Sequence, residues 1–232
     1  LNRLKEDLRD SDPVDIESYK ELGRLYLETL LKNDRHGANN LVLKAVERDM
    51  PLQDIYIYIF QESQHEIGRL WESNRITVAQ EHYCTAATQN IMSQLYPYIF
   101  STKKIGRLLV ATCVGGELHE LGARMVADFF EMAGWDTYYL GANTPSESII
   151  KTLESLKADL LAISVSMTFN IAAVKNLISE IRATETVKGI RILVGGRPFN
   201  VAEDLWRTVK ADGFAPDAKR AVEAAEVLLA SP

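Results

Sequence analysis

From Lys103 onward the texture of the sequence changes, and that change limits the fold more than any other feature. Five short β-type runs appear: Ile105–Cys113, Thr137–Leu140, Leu160–Ser166, Ile190–Val194 and a weaker one near Ala211–Phe214. Between them lie stretches with apolar residues at i, i+3 and i+4: about Leu121–Ala133, Ser146–Leu156, Ile171–Arg182 and Val201–Lys210. A last helix fits Asp217–Leu229. Parallel strands need crossover connections, usually helical and nearly always of one hand. The alternation therefore predicts an α/β fold, a doubly wound five-stranded parallel sheet in the order 2-1-3-4-5 with strand one central.

The first hundred residues carry no strand signal. Residues 1–10 form a charged, weakly patterned lead-in, and Ser11-Asp12-Pro13 places a capping side chain before a first-turn proline. The helix that follows shows Ile16, Tyr19, Leu22, Leu25, Tyr26 and Leu30 at helical spacing and ends near Asn33-Asp34. A second helix spans about His36–Arg48. A third starts at Pro51, carries the stripe Ile55, Ile59, Ser63, Ile67, Leu70, Trp71, and breaks at Ser73-Asn74. Thr77 with Gln80 makes a capping box for a fourth, running to about Tyr98. Four helices with short connections predict a small antiparallel bundle. The expected division is a helical domain over 1–100 and an α/β domain over 101–232.

Composition narrows the functional classes. The 232 residues are 47% hydrophobic and 25% charged, ordinary for a globular protein, and a net charge of −6 argues against direct nucleic-acid binding. Two cysteines, Cys84 and Cys113, make neither a CxxC pair nor a disulfide framework, so a reducing cytoplasm is expected. No apolar run is long enough to span a bilayer. The chain opens on Leu1 rather than Met, so a missing N-terminal domain is allowed for.

The chemistry concentrates where the first strand hands over to a helix, in Thr112-Cys113-Val114-Gly115-Gly116-Glu117-Leu118-His119-Glu120-Leu121-Gly122. In an open α/β sheet, ligands bind at that edge. A carboxylate two residues from a histidine can fix its tautomer and leave the other ring nitrogen for a metal or a proton. Ser164-Val165-Ser166 closes the third strand and Gly195-Gly196 the fourth, so both fall at the same edge. Cys84 and Cys113 read as small apolar packing residues, and His36 and His65, which have no partner motif, as structural or surface residues.

From about 103 to 230 these spacings resemble the cobalamin-binding domain of methionine synthase, the methylmalonyl mutases and their relatives. The family pattern, Asp-x-His-x-x-Gly, then Ser-x-Leu, then Gly-Gly, stands here as Glu117-Leu118-His119-Glu120-Leu121-Gly122, Ser164-Val165-Ser166 and Gly195-Gly196. Glu for Asp lengthens the carboxylate arm, and Ser166 replaces the Leu. The resemblance implies a flavodoxin-like sheet and His119 as the lower axial ligand of cobalt, base-off/His-on, oriented by Glu117. It further implies that Ser164, Gly195 and Gly196 receive the displaced nucleotide tail, and that Gly116, Leu118, Glu120, Leu121, Gly122, Ser166 and Thr168 lie along the cofactor.

The helical half resembles the cap of CarH/CarA-type cobalamin photoreceptors, which carry Trp-x9-Glu-His; here the residues are Trp71 and Glu81-His82. That resemblance implies adenosylcobalamin, with Trp71 over the upper corrin face, Glu81 bonded to the adenosyl group and His82 a cobalt ligand after photolysis. The expected function is a light-sensing regulatory module rather than an enzyme, acting through a homo-oligomer or a separate output domain or protein. A corrinoid carrier subunit of a methyltransferase or mutase system is the alternative, and a haem- or bilin-binding relative is a third reading.

Overall fold

The protein is described by a computed structural model covering residues 13–100, 102–202 and 204–230, with side chains from residue 17 onward. The lead-in over residues 1–10 and the capping pair Ser11-Asp12 lie outside the described residues. Two compact units divide the chain, one ending at Tyr96 and the other beginning at Pro97.

The first unit is helical. Helix α1 spans Pro13–Leu31 and α2 spans Arg35–Glu47, where the Asp34 carboxylate accepts the Gly37 N–H at 2.8 Å as an N-cap. Helix α3 is composite: Leu52–Asp54, then a π-helical stretch Ile55–Gln61, then Glu62–Glu72. The Glu62 N–H bonds to the Ile57 carbonyl, an i→i+5 contact. This insertion departs from the plain helical stripe read in the sequence, because it brings Tyr56 and Phe60 into the core beside Ile55 and Ile59.

Helix α4, Val78–Gln94, opens with the expected box, in which Thr77 accepts from the Gln80 N–H and Gln80 accepts from the Thr77 N–H. It stops short of Tyr98, and a separate turn, α5 (Tyr96–Ile99), follows. Helix α1 packs on α2, α3 and α4, and α4 packs on α2 and α3. A polar thread crosses their core: Tyr26 Oη lies 2.8 Å from Thr88 Oγ1, which accepts from Gln64 Nε2 at 2.9 Å. Thr85 Oγ1 lies within bonding distance of both Gln64 Oε1, at 3.0 Å, and Glu81 Oε1, at 2.9 Å.

The second unit is the expected α/β sandwich. Its strands are β1 (Leu108–Val114), β2 (Asp136–Thr144), β3 (Leu160–Ser164), β4 (Arg191–Gly195) and β5 (Gly213–Ala215). All neighbours are parallel, in the order β2-β1-β3-β4-β5. The helices are α6 (Leu121–Met132), α7 (Ser146–Leu156), α8 (Ile171–Ala183), α9 (Arg197–Val201), α10 (Leu205–Thr208) and α11 (Ala218–Ala230).

Alternation along the strands explains the two layers. Val110, Leu161, Ile163, Ile192 and Val194 join the core that includes Ile149 and Leu153 of α7 and Val174, Leu177 and Ile178 of α8. Their neighbours Leu109, Ala111, Leu160, Ala162 and Leu193 join the opposite core, with Ala127 and Phe130 of α6 and Ala221 and Ala225 of α11. Strands buried on both faces read as continuous apolar runs, which is why they stood out in the sequence.

Boundaries shift for local reasons. Strand β1 begins at Leu108, because Ile105 instead donates its N–H to the Gly134 carbonyl at 2.8 Å. Strand β2 continues past Leu140 to Thr144, with register breaks against β1 between Ala111 and Thr112 and between Thr112 and Val114. Strand β3 ends at Ser164 rather than Ser166, since the Ser166 N–H leaves the ladder for the Glu117 carboxylate. The helix expected over Val201–Lys210 is reduced to the four-residue α10, and a separate short helix, α9, precedes it and ends at Val201.

Candidate functional site

The strand order turns back between β1 and β3, and the crevice past their C-terminal ends is where such sheets bind ligands. Glu117 sits there, fully buried, just beyond β1. One carboxylate oxygen, Oε1, lies 2.6 Å from His119 Nδ1 and accepts the His119 backbone N–H at 3.0 Å. The other, Oε2, accepts from the backbone N–H of Ser166 and of Met167 and from Asn170 Nδ2, each at 3.0 Å. The longer Glu arm thus folds back onto the residue two ahead of it while reaching across to the segment after β3.

These contacts set the charge. Burial by itself pushes the Glu117 carboxyl up, but the hydrogen bonds from His119, Asn170 and the backbone N–H of His119 and Met167 outweigh it and hold the group at about 2. Against a carboxylate, the His119 ring donates through Nδ1, and in the neutral imidazole Nε2 is then the lone-pair nitrogen. The ring is about half exposed (46%), so it is oriented without being sealed in.

The loop itself is held from β2. Gly116, at φ +86°, donates its N–H to Asn143 Oδ1 at 2.7 Å, and Asn143 returns its own N–H to the Glu117 carbonyl at 2.8 Å. Glu120 accepts the Ala142 N–H at 3.0 Å, and the Tyr139 hydroxyl donates to the Glu120 carbonyl at 3.3 Å. Burial, with Glu120 nearby, pushes the Tyr139 phenol up. Cys113 is buried beneath this loop, its Sγ 3.6 Å from the His119 carbonyl, and burial pushes its thiol up to about 12.

The other expected residues gather at the same edge. Gly122, in the first turn of α6, lies so close to β3 that a Cβ would stand 3.1 Å from Ser164 Oγ. Gly196, at φ +103°, is a position only glycine suits: a Cβ would fall 2.0 Å from the Val165 carbonyl oxygen. Leu118 is 71% exposed on the loop, Leu121 is buried at the start of α6, and Thr168 is exposed at the head of the 3-10 turn Thr168–Asn170. Ser166 contributes its backbone N–H rather than a place in a Ser-x-Leu pocket.

A family profile described as a B12-binding domain matches residues 107–226, just over half of the chain, and a second, likewise described as a B12-binding domain, matches residues 23–96. The chain belongs to the B12-binding domain family. Among its relatives is dimethylamine corrinoid protein 2 of Methanosarcina acetivorans, 26% identical over 171 residues, 71% of this chain and 76% of that one. A corrinoid protein of Desulfitobacterium hafniense is 24% identical over 208 residues, 87% of this chain and 94% of that one. The solved monomethylamine corrinoid protein of Methanosarcina barkeri shares the fold, with a TM-score of 0.77 at 24% identity over 91% of this chain and 99% of that one.

The residues gathered at this crevice would suit such a cofactor. A single histidine with its tautomer fixed suits a metal that brings a ring of ligands of its own. Among the described residues no group of three or more His, Cys, Asp and Glu side chains gathers to build a metal site without one. Sequence reasoning missed Asn170, Asn143 and the Met167 N–H. Asn170 lies in Met167-Thr168-Phe169-Asn170, an unremarkable turn before α8, and the backbone donors have no residue-type signal at all.

In the helical unit, Trp71 ends α3 and is 36% exposed. With Asn74, Arg75, Ile76, Val78 and Gln80 it lines a groove of about 420 Å³ between α3 and α4. Glu81 lies in the first turn of α4, its carboxylate 3.5 Å from His82 Nε2, and the His82 side chain is 74% exposed. His36 and His65 are both exposed. No helix among the described residues is long and apolar enough to cross a membrane.

Proposed function

We propose that this protein is a corrinoid carrier subunit that presents cobalamin, base-off and His-on, to partner methyltransferases. The observation that carries this reading is the Glu117–His119 couple at the β1–β3 crevice, in a chain whose relatives include the dimethylamine corrinoid proteins. Bound cobalamin would supply a cobalt centre able to take up and release a methyl group. The protein's part is to hold and tune it. His119 Nε2 would be the lower ligand, and Glu117 would raise its donor strength by accepting from Nδ1. Gly196 and Ser164 would border the space for the nucleotide tail, and Gly122 would keep α6 close. In this reading the chain is a carrier whose chemistry is completed by partner proteins.

A second reading keeps the light sensor, because Trp71, Glu81 and His82 reproduce the photoreceptor spacing. The upper ligand separates the two. The chain is loaded in the dark with adenosylcobalamin and, separately, with methylcobalamin, and absorption and size-exclusion profiles are recorded before and after green light. The carrier reading expects an elution volume indifferent to light and a methyl group that a thiol-activating methyltransferase can remove. A light-dependent change of assembly with the adenosyl form would overturn it in favour of the sensor.

A further inference from the structure

Every contact that fixes the Glu117 carboxylate comes from its own loop or from the segment after β3, yet the backbone on which it rides is held from the other side. We infer that Asn143, at the C-terminal end of β2, is a positioning residue for His119, acting through the backbone of Gly116 and Glu117. This rests on the reading of His119 as the lower cobalt ligand.

The geometry is specific. Asn143 exchanges two hydrogen bonds with the loop, Oδ1 accepting from Gly116 at 2.7 Å and N–H donating to the Glu117 carbonyl at 2.8 Å. The backbone of Asn143 lies in the left-handed region, at φ +50°, which Asn tolerates far better than most residues. That conformation is produced where β2 slips register against β1, pairing Thr112 with Gly141 and Val114 with Thr144. A register break that kinks a strand beside a site is a way to re-aim a side chain. Here it turns Asn143 onto a loop that a regular β2 would run past.

Two independent restraints therefore meet at Gly116. Asn143 holds its N–H, and Asn170 Nδ2 lies 3.4 Å from its carbonyl oxygen while donating to Glu117 Oε2. Gly116 is at φ +86°, so the loop has a backbone that few residues tolerate and that needs holding on both sides. If Asn143 lets go, Glu117 keeps its carboxylate contacts but the loop gains freedom about that glycine. The His119 ring would then be aimed less firmly toward a bound cofactor. Glu120 ties the far end of the loop to Ala142, so the effect falls on the Gly116 end.

The test separates side chain from backbone. Asn143→Gly keeps the left-handed backbone and removes the acceptor; Asn143→Asp restores an acceptor that also tolerates that backbone. In the protein without cofactor, the Gly116 amide should exchange faster in Asn143→Gly. With cobalamin bound, absorption should show the His-on to His-off ratio falling about 2- to 10-fold, the range of one lost hydrogen bond, and recovering in Asn143→Asp. His119→Ala serves as the reference and should remove the His-on spectrum. If His119→Ala removes it and Asn143→Gly leaves the ratio unchanged, or if Asn143→Asp behaves like Asn143→Gly, the positioning role is overturned. If His119→Ala itself leaves the spectrum unchanged, the ligand assignment falls instead, and the Asn143 inference with it.

Discussion

Two histidines beside carboxylates drew attention in this chain, and they are built in opposite ways. At the end of β1, Glu117 is fully buried and its two oxygens accept from His119, Ser166, Met167 and Asn170. At the start of α4, Glu81 touches Thr85 and stands 3.5 Å from an imidazole that is 74% exposed. The first pair is locked by an interior that cannot relax without stranding polar groups. The second can rotate away at little expense. A site that must present one nitrogen in one direction needs the first construction; a ligand recruited only on occasion could use the second.

The largest effect that tests this contrast is on coordination. With cobalamin bound, His119→Ala should remove the imidazole nitrogen coupling that splits the high-field lines of the electron paramagnetic resonance spectrum of the Co(II) form, whereas His82→Ala should leave it intact. Loss of the coupling in His82→Ala alone would reverse the ranking of the two pairs.

Stability comes next. Glu117→Ala leaves the Ser166 and Met167 N–H groups without their acceptor and Asn170 Nδ2 with only its longer contact to the Gly116 carbonyl, and should cost about 3 kcal/mol or more in urea unfolding. Glu81→Ala, at a part-exposed helix start, should cost no more than about 1 kcal/mol. Comparable losses would mean that the exposed pair is held as tightly as the buried one.

Acid sharpens the same point. The Glu117 carboxyl is depressed from 4.5 to about 2, so the folded state favours its ionised form. Its contribution is complete above about 4.5 and is lost as pH falls toward 2, because the unfolded chain takes up the proton first. The shift corresponds to about 3 kcal/mol. Wild type should therefore lose stability between pH 5 and pH 3 more steeply than Glu117→Gln, as read from urea midpoints at the two values. Parallel curves would show that the carboxylate is not held as its contacts indicate.

How far the sequence reached follows from the same physics. The sheet order and helix positions were legible because strands buried on both faces leave unbroken apolar runs, such as Leu160–Ile163, between helices with a clear period. Glu117 and His119 were legible because a charge and an imidazole at a strand end are unusual by residue type. The partners were not. Ser166 and Met167 act through main-chain N–H groups, and Asn143 acts because a register break turns β2 toward the loop. The π-helical stretch Ile55–Gln61 was hidden for a similar reason, since its alternating Ile and Tyr residues support more than one apolar face. The photoreceptor expectation came from three residues, Trp71, Glu81 and His82, whereas the profiles cover most of the chain and speak only for B12 binding, and the relatives that align with it are corrinoid proteins.

The smallest expected effect asks how the two units differ when nothing is mutated at the site. Cys84 on α4 and Cys113 on β1 are both buried, and burial pushes their thiols up to about 11 and about 12. Neither should react with a thiol reagent at pH 8 except through opening of the fold. Cys113 lies near the end of β1, a strand flanked by β2 and β3, and is fully buried beneath the Glu117–His119 loop, so its exposure requires that end of the strand and the loop over it to open together. Cys84 needs only α4 to part from α1 and α3, and local openings of packed helices are less costly than disruption of a central strand. In single-cysteine variants made by Cys84→Ala and Cys113→Ala, Cys84 should label about tenfold faster, a difference of roughly 1.4 kcal/mol in opening free energy. Equal rates would mean that the helical unit and the sheet open together, and that the looser Glu81–His82 pair is not a sign of a looser unit.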